Sequence, residues 1–175
     1  MKLVSGIAFA LLVAMPGLGF AAAPELRVSK SVIVHAAPGR VWARIANFGA
    51  LGSWHPGVAR DDVVAGAGNA IGSERRITLA SGATMTEKLV AFDARHHRFR
   101  VTMLGSTLPL SGYTSVISIK GAGKNRSKVT WSGKFKRKDT GPNPAVDAND
   151  AAATTAASAF YQAGLDNLKK IVVAK

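Results

Sequence analysis

Two side chains in this sequence have the chemistry to move protons: His55, in Trp54-His55-Pro56, and Glu87, in Thr86-Glu87-Lys88-Leu89. Histidine titrates near neutral pH, and a carboxylate withdrawn from water shifts upward toward it. Facing one cavity, the two would make a general acid/base pair for proton transfer or dehydration. Ala83, Met85, Glu87, Leu89 and Ala91 alternate with Thr84, Thr86 and Lys88, a period of two that sets the carboxylate in the middle of an apolar row. A charge there must be solvated, protonated or paired, and Arg75 or an arginine of a neighbouring strand is a partner at hand. Other chemistries lack their residues. There is no cysteine, hence no disulfide framework and no thiolate metal site. No nucleophile elbow, phosphate loop or metal-ligand spacing is present. His96 and His97 are adjacent on an apparent strand, so they point to opposite faces and make a poor metal pair. No metal or cofactor is expected.

The elements that would position these groups follow from periodicity. Glu25 to His35 reads as a first strand. Pro38 opens a helix carrying Val41, Trp42, Ile45, Ala46 and Phe48 on one side, which Gly49 ends. Leu51 to Trp54 is a second short turn, stopped by Pro56-Gly57. Strands are expected at Val58 to Ala65, at Gly72 to Ala80 and through the Glu87 row. The next places His97, Phe99, Val101 and Met103 on one face, and another aligns Tyr113, Ser115, Ile117 and Ile119. The last alternates Val129, Trp131, Gly133 and Phe135 with Thr130, Ser132, Lys134 and Lys136. One long helix is expected from about Ala145 to Val172, Ala-rich at first and then apolar at Tyr161, Leu165, Leu168 and Ile171. Gly164 inside it costs about 1 kcal/mol relative to Ala, which points to close packing or a pocket wall there.

Lys2, the apolar run Ile7 to Leu18 and the small residues Gly19, Ala21, Ala22 and Ala23 read as a signal peptide spanning residues 1–23, with cleavage after Ala21 or Ala23. Residues 24–175 then form one domain, exported to the periplasm or beyond, with no transmembrane segment after cleavage. The formal charge of +13 draws anionic partners, and export makes nucleic acid the least fitting of them. Lys134, Lys136, Arg137 and Lys138 form a basic cluster that can dock an acidic protein, or simply keep a sheet edge soluble.

Ala37-Pro38-Gly39-Arg40-Val41-Trp42, Trp54-His55-Pro56, Gly72-Ser73-Glu74-Arg75, Ser81-Gly82, Thr86-Glu87-Lys88-Leu89 and Tyr113-Thr114-Ser115-Val116, in this order, resemble the START-like or helix-grip superfamily. That superfamily includes polyketide cyclase/dehydrase-like proteins, Bet v 1-type allergens and the plant abscisic-acid receptors. With its signal peptide and Trp-His-Pro segment, the chain is similar to an exported bacterial branch of periplasmic methanol-oxidation accessory proteins. The resemblance implies an α+β helix-grip fold: a curved antiparallel sheet of about seven strands wrapped around a long C-terminal helix, with two short helices after the first strand. It also implies a cavity between sheet and helix. Glu87, Tyr113 and Ser115 match cavity-facing positions, and His55 stands where the hormone receptors carry a cationic lysine. Arg75 matches a shared arginine at the rim or in the framework. Trp131 replaces an acidic residue, and Ala163 and Asn167 match pocket-facing helix positions. With Trp54, Met85 and Leu89 these residues make an apolar site with few polar groups, and the loop Ala80 to Thr84 can gate it at Gly82. The expectation is an exported protein that holds an apolar or amphipathic small molecule, serving as an accessory factor for an acidic periplasmic partner. The alternative is a cyclase or dehydratase using His55 and Glu87.

Overall fold

The computed structural model describes residues 23–173; the signal-peptide reading falls on residues outside this range, apart from Ala23. Strand β1 (Leu26–Val34) leads into helix α1 (Pro38–Ile45) and a single 3-10 turn (Leu51–Ser53). Six strands follow: β2 (Val58–Ala65), β3 (Glu74–Leu79), β4 (Thr84–Asp93), β5 (Arg98–Ser106), β6 (Leu110–Gly121) and β7 (Ser127–Arg137). A second 3-10 turn (Val146–Ala148) precedes the long helix α2 (Asp150–Val173).

The strands form one antiparallel sheet in the order β1-β7-β6-β5-β4-β3-β2. Strands β2 to β7 run as a meander, and β1 closes the far edge against β7. Register shifts interrupt β4–β5 at Thr86/Glu87 and Leu89/Ala91, and β6–β7 at Ser111/Thr114. An extra residue in one strand bends it and strengthens its twist, so these irregularities curl the sheet. Helix α2 lies on the concave side, against β1 and β7. Its buried stripe is Ala153, Ala157, Tyr161, Gly164, Leu165, Leu168 and Val172. The small residues at its start let the helix stand close to the sheet, and the larger ones fill the core further along.

Three boundaries differ from the periodicity. α1 stops at Ile45 and does not run to Gly49. Beyond it the Asn69 Oδ1 accepts the Phe48 N–H at 2.8 Å and the Asn47 Oδ1 accepts the Gly49 N–H at 3.1 Å. Side-chain acceptors thus take the place of helical carbonyls. α2 starts at Asp150, not near Ala145, because Asn149 is extended (φ −83°, ψ 178°) and caps the helix by accepting the Ala152 N–H at 2.9 Å. His96 and His97 sit in the β4–β5 turn instead of on a strand, with His97 at φ 49°. His96 Nδ1 lies 2.8 Å from an Asp93 carboxylate oxygen, and the His97 ring lies 5.7 Å from the Trp42 ring.

Candidate functional site

The inward row of β4 is as the alternation predicts, with Met85, Glu87 and Leu89 all buried. Only the register of the sheet shows what Glu87 faces. Arg75 is its cross-strand neighbour on β3, and the guanidinium donates to the Glu87 Oε2 from Nη2 at 2.7 Å and from Nε at 3.0 Å. Arg75 also donates from Nη1 to the Phe48 carbonyl at 2.6 Å, lies over the Phe48 ring at 4.5 Å, and approaches Asp61 at 3.6 Å. Asp61 in turn accepts the Leu51 N–H at 2.6 Å. Burial raises the Asp61 carboxyl above the ordinary aspartate range, and the Arg75 charge opposes that shift. This cluster ties three strands to the segment between α1 and the 3-10 turn, and so fixes the chain that delivers Trp54 and His55.

His55 is almost wholly buried, 2% exposed, and both of its ring nitrogens are taken by backbone. Nδ1 accepts the Gly57 N–H at 3.1 Å, which leaves Nε2 to carry the proton and donate to the Phe160 carbonyl of α2 at 2.9 Å. Burial outweighs these bonds and lowers the imidazole below its usual value, so the neutral form is favoured. The ring stacks on Phe160 at 3.9 Å and meets Trp131 edge-on at 6.0 Å. Gly164 is what admits it. A Cβ there would stand 2.5 Å from His55 Cδ2 and 3.1 Å from Trp131 Cζ3.

Beside His55, between the sheet and α2, is a cavity of about 330 Å³. Leu79, Met85, Met103, Leu108 and Leu110 form its sheet side and Ala156, Ala157, Phe160, Tyr161 and Ala163 its helix side. Exposed Ala80 and Ser81, in the turn whose Gly82 has φ 85°, and exposed Ala163 mark its rim. Of the lining residues only His55, Ser81, Tyr113 and Tyr161 have polar side chains, and none carries a fixed charge. The Tyr161 hydroxyl donates to the Tyr113 oxygen at 2.8 Å, and Gly133 on β7 leaves room for it where any Cβ would collide. Burial pushes both phenols well above the ordinary tyrosine range, so both stay protonated at any physiological pH.

The structure therefore brings His55, Met85, Tyr113 and Ala163 to one cavity, and it places the other candidates elsewhere. Arg75 and Glu87 are closed on each other. Leu89 is fully buried and absent from the cavity wall. Ser115 takes the Trp131 indole N–H at 3.4 Å, and Trp131 lies behind the wall, stacked on Tyr161 at 4.7 Å. Trp54 packs on Trp131 at 5.6 Å, and Asn167 donates to the Trp54 carbonyl at 3.0 Å, holding the His55 segment to α2. His55 and Glu87 do not form an acid/base pair: both ring nitrogens of His55 are bonded to backbone, and Glu87 is paired with Arg75 outside the cavity wall. Sequence reasoning missed Gly57, Leu79, Met103, Leu108, Leu110, Ala156, Ala157, Phe160 and Tyr161 as wall residues. The helical spacing of Ala153, Ala157 and Tyr161 was a usable signal for Ala157 and Tyr161.

The proposed basic cluster divides as well. Arg137 donates to Asp150 Oδ1 at 2.8 Å and to the Gly141 carbonyl at 2.9 Å, a clasp between the end of β7 and the start of α2. Lys138 donates to the Ser106 carbonyl at 3.1 Å and Lys134 pairs with Glu25 at 3.2 Å, while exposed Lys136 lies on the outer face. Among the described residues, no group of three or more His, Asp or Glu side chains is placed to hold a metal ion. No helix of the described residues is long and apolar enough to cross a membrane.

The family model for polyketide cyclase/dehydrase and lipid transport matches residues 25–173. The chain belongs to that family. No curated protein matches it in sequence. Solved structures share its fold. XoxI from Bacillus cereus superposes with a TM-score of 0.73 at 24% identity, over 85% of this chain and 96% of that one. The Zhui aromatase/cyclase from Streptomyces gives 0.69 at 14% identity, over 85% and 94%. The allergen structure Ara h 8.0201 gives 0.67 at 17%, over 87% and 100%. These likenesses extend over nearly the whole of each neighbour and identify a helix-grip fold, the architecture expected from the sequence.

Proposed function

We propose that this family member is an exported binding protein that holds an apolar or amphipathic small molecule between sheet and helix without transforming it. One observation carries the reading: the cavity is walled by apolar side chains, and the His55 ring nitrogens and the Tyr161 hydroxyl proton are already bonded within the protein. A site of that composition gains its affinity from burial, with few groups to orient a ligand. A reaction needs a group placed at the cavity and free to take or give a proton; His55 has both ring nitrogens bonded to backbone, and Glu87 is paired with Arg75 outside the wall. Export rests on the leader pattern of residues 1–23, and an accessory role beside an acidic periplasmic protein rests on the net charge and on Lys134 and Lys136.

Native mass spectrometry of the protein, purified gently from the periplasm of its own cells, tests the reading. The expected result is a reproducible adduct that is lost on denaturation and leaves the polypeptide mass unchanged. A bare mass that persists after incubation with periplasmic extract would refute it.

A further inference from the structure

The lining of the cavity says more than that the ligand is apolar. A buried carboxylate, sulfate or phosphate requires a cation, a positive helix end or several N–H or O–H donors converging on it. The described residues that line the cavity offer no cation and no converging set of donors, only the Tyr113–Tyr161 hydroxyl pair, in which one proton is already donated. The buried guanidinium of Arg75 is outside the wall and engaged by Glu87, Asp61 and the Phe48 carbonyl. The imidazole at the wall, His55, has one ring nitrogen accepting from Gly57 and the other donating to Phe160, so it has no N–H left for an anion. Its neighbours Phe160 and Trp131 are uncharged. A buried ammonium fares no better, because no carboxylate is among the described residues that line the cavity. The hydroxyl pair Tyr113–Tyr161 remains as a polar feature that can meet a ligand hydroxyl, ether or carbonyl without any change of charge.

Resting on the carrier reading above, we infer that the cavity selects its ligand by charge and takes neutral molecules, such as an alcohol, aldehyde, ketone or ester with an alkyl or aryl body, while excluding the corresponding acids. At about 330 Å³ the space is at the small end of ligand pockets, which fits a medium-length chain or a small ring system.

Displacement of the neutral dye N-phenylnaphthylamine from the purified protein by decanol and by decanoate, at neutral pH, tests this. Decanol is expected to displace the dye, with decanoate weaker by about a hundredfold or more, as an unpaired charge in an apolar site would give. Leu108→Lys, at a half-buried position of the wall on the β5–β6 turn, supplies a cation and is expected to improve decanoate at least about tenfold while leaving decanol no better. Equal or tighter binding of decanoate by the unmodified protein would overturn the charge selection and leave the carrier reading intact. Decanoate unaffected by Leu108→Lys would overturn the argument that a missing cation is the cause. If neither the dye nor decanol enters, the carrier reading itself falls, and the charge selection with it.

Discussion

Replacing Gly164 by alanine should destabilise this protein, although the same change in an ordinary helix stabilises it. At an interior helical site Gly→Ala is favourable by about 1 kcal/mol, through backbone entropy. Here the new methyl would meet His55 Cδ2 at 2.5 Å, His55 Nε2 at 3.1 Å and Trp131 Cζ3 at 3.1 Å. Ordinary carbon contacts are about 3.5–4.0 Å, so the imidazole must retreat by roughly an ångström. Its bonds and packing oppose that movement. Its Nε2 bond to Phe160 is 2.9 Å, its Nδ1 bond from Gly57 is 3.1 Å, and the indole behind it is stacked on Tyr161 at 4.7 Å. Overpacking of a tight core costs about 1–3 kcal/mol. Loss of one hydrogen bond at His55 adds about 0.5–1.5 kcal/mol. Setting the helical gain against these costs leaves a net loss of about 1–3 kcal/mol. Urea unfolding should show it as a lower midpoint with an unchanged slope, and thermal unfolding as a drop of about 2–4 °C for each kcal/mol. A ring pushed toward the cavity should also weaken binding of a neutral ligand. A Gly164→Ala protein as stable as the parent, or more so, would refute the packing of His55 beneath α2 and the closed hydrogen bonding on which the functional reading depends.

Other consequences can be checked on the same protein. Arg75→Met leaves Glu87 and Asp61 buried without their cation and should cost about 3–5 kcal/mol by urea unfolding, as removing one partner of a buried pair does. Asp61→Asn keeps an acceptor for the Leu51 N–H and relieves a carboxylate already held above its usual range, so it should cost no more than about 1 kcal/mol. The folded-state pKa of His55 lies below its unfolded value of 6.5. Its neutral burial therefore contributes fully above pH 6.5, and stability falls as pH drops through the window below, where the unfolded chain binds the extra proton. Unfolding midpoints measured across that window should lose this slope in His55→Gln. Charge reversal at Lys134 and Lys136 should leave neutral-ligand binding intact and weaken capture of an acidic periplasmic protein at low salt. Capture that survives both the reversal and added salt would rule out the basic face as the docking surface.

Local patterning in the chain was enough to set its elements and their order, and the resemblance to the helix-grip superfamily supplied the architecture. Alternation in β4 and β7 assigned each side chain to a face, because a strand's period of two leaves no third choice. The step from short helices to strands to one long apolar helix set the order of elements. Gly164 was legible as a site of close approach because a mid-helix glycine has a cost that something must offset. Helix ends were less legible, since Asn47, Asn69 and Asn149 decide them through bonds to single backbone groups, one of them made across the fold. The site was legible only in part. Sequence placed Glu87 indoors but left open whether it was solvated, paired or protonated, and the β3–β4 register decided that by setting Arg75 directly opposite. It marked His55 as capable of chemistry, yet the Phe160 carbonyl that fixes its proton is 105 residues away and belongs to a different element. Trp131, Tyr161 and Gly133 come together only where α2 crosses β7, and that crossing put the tryptophan behind the wall and the tyrosine in it. Which groups are buried is a property of each strand and helix by itself. Which of them remain free to meet a ligand is a property of their partners, and those partners are supplied by the fold.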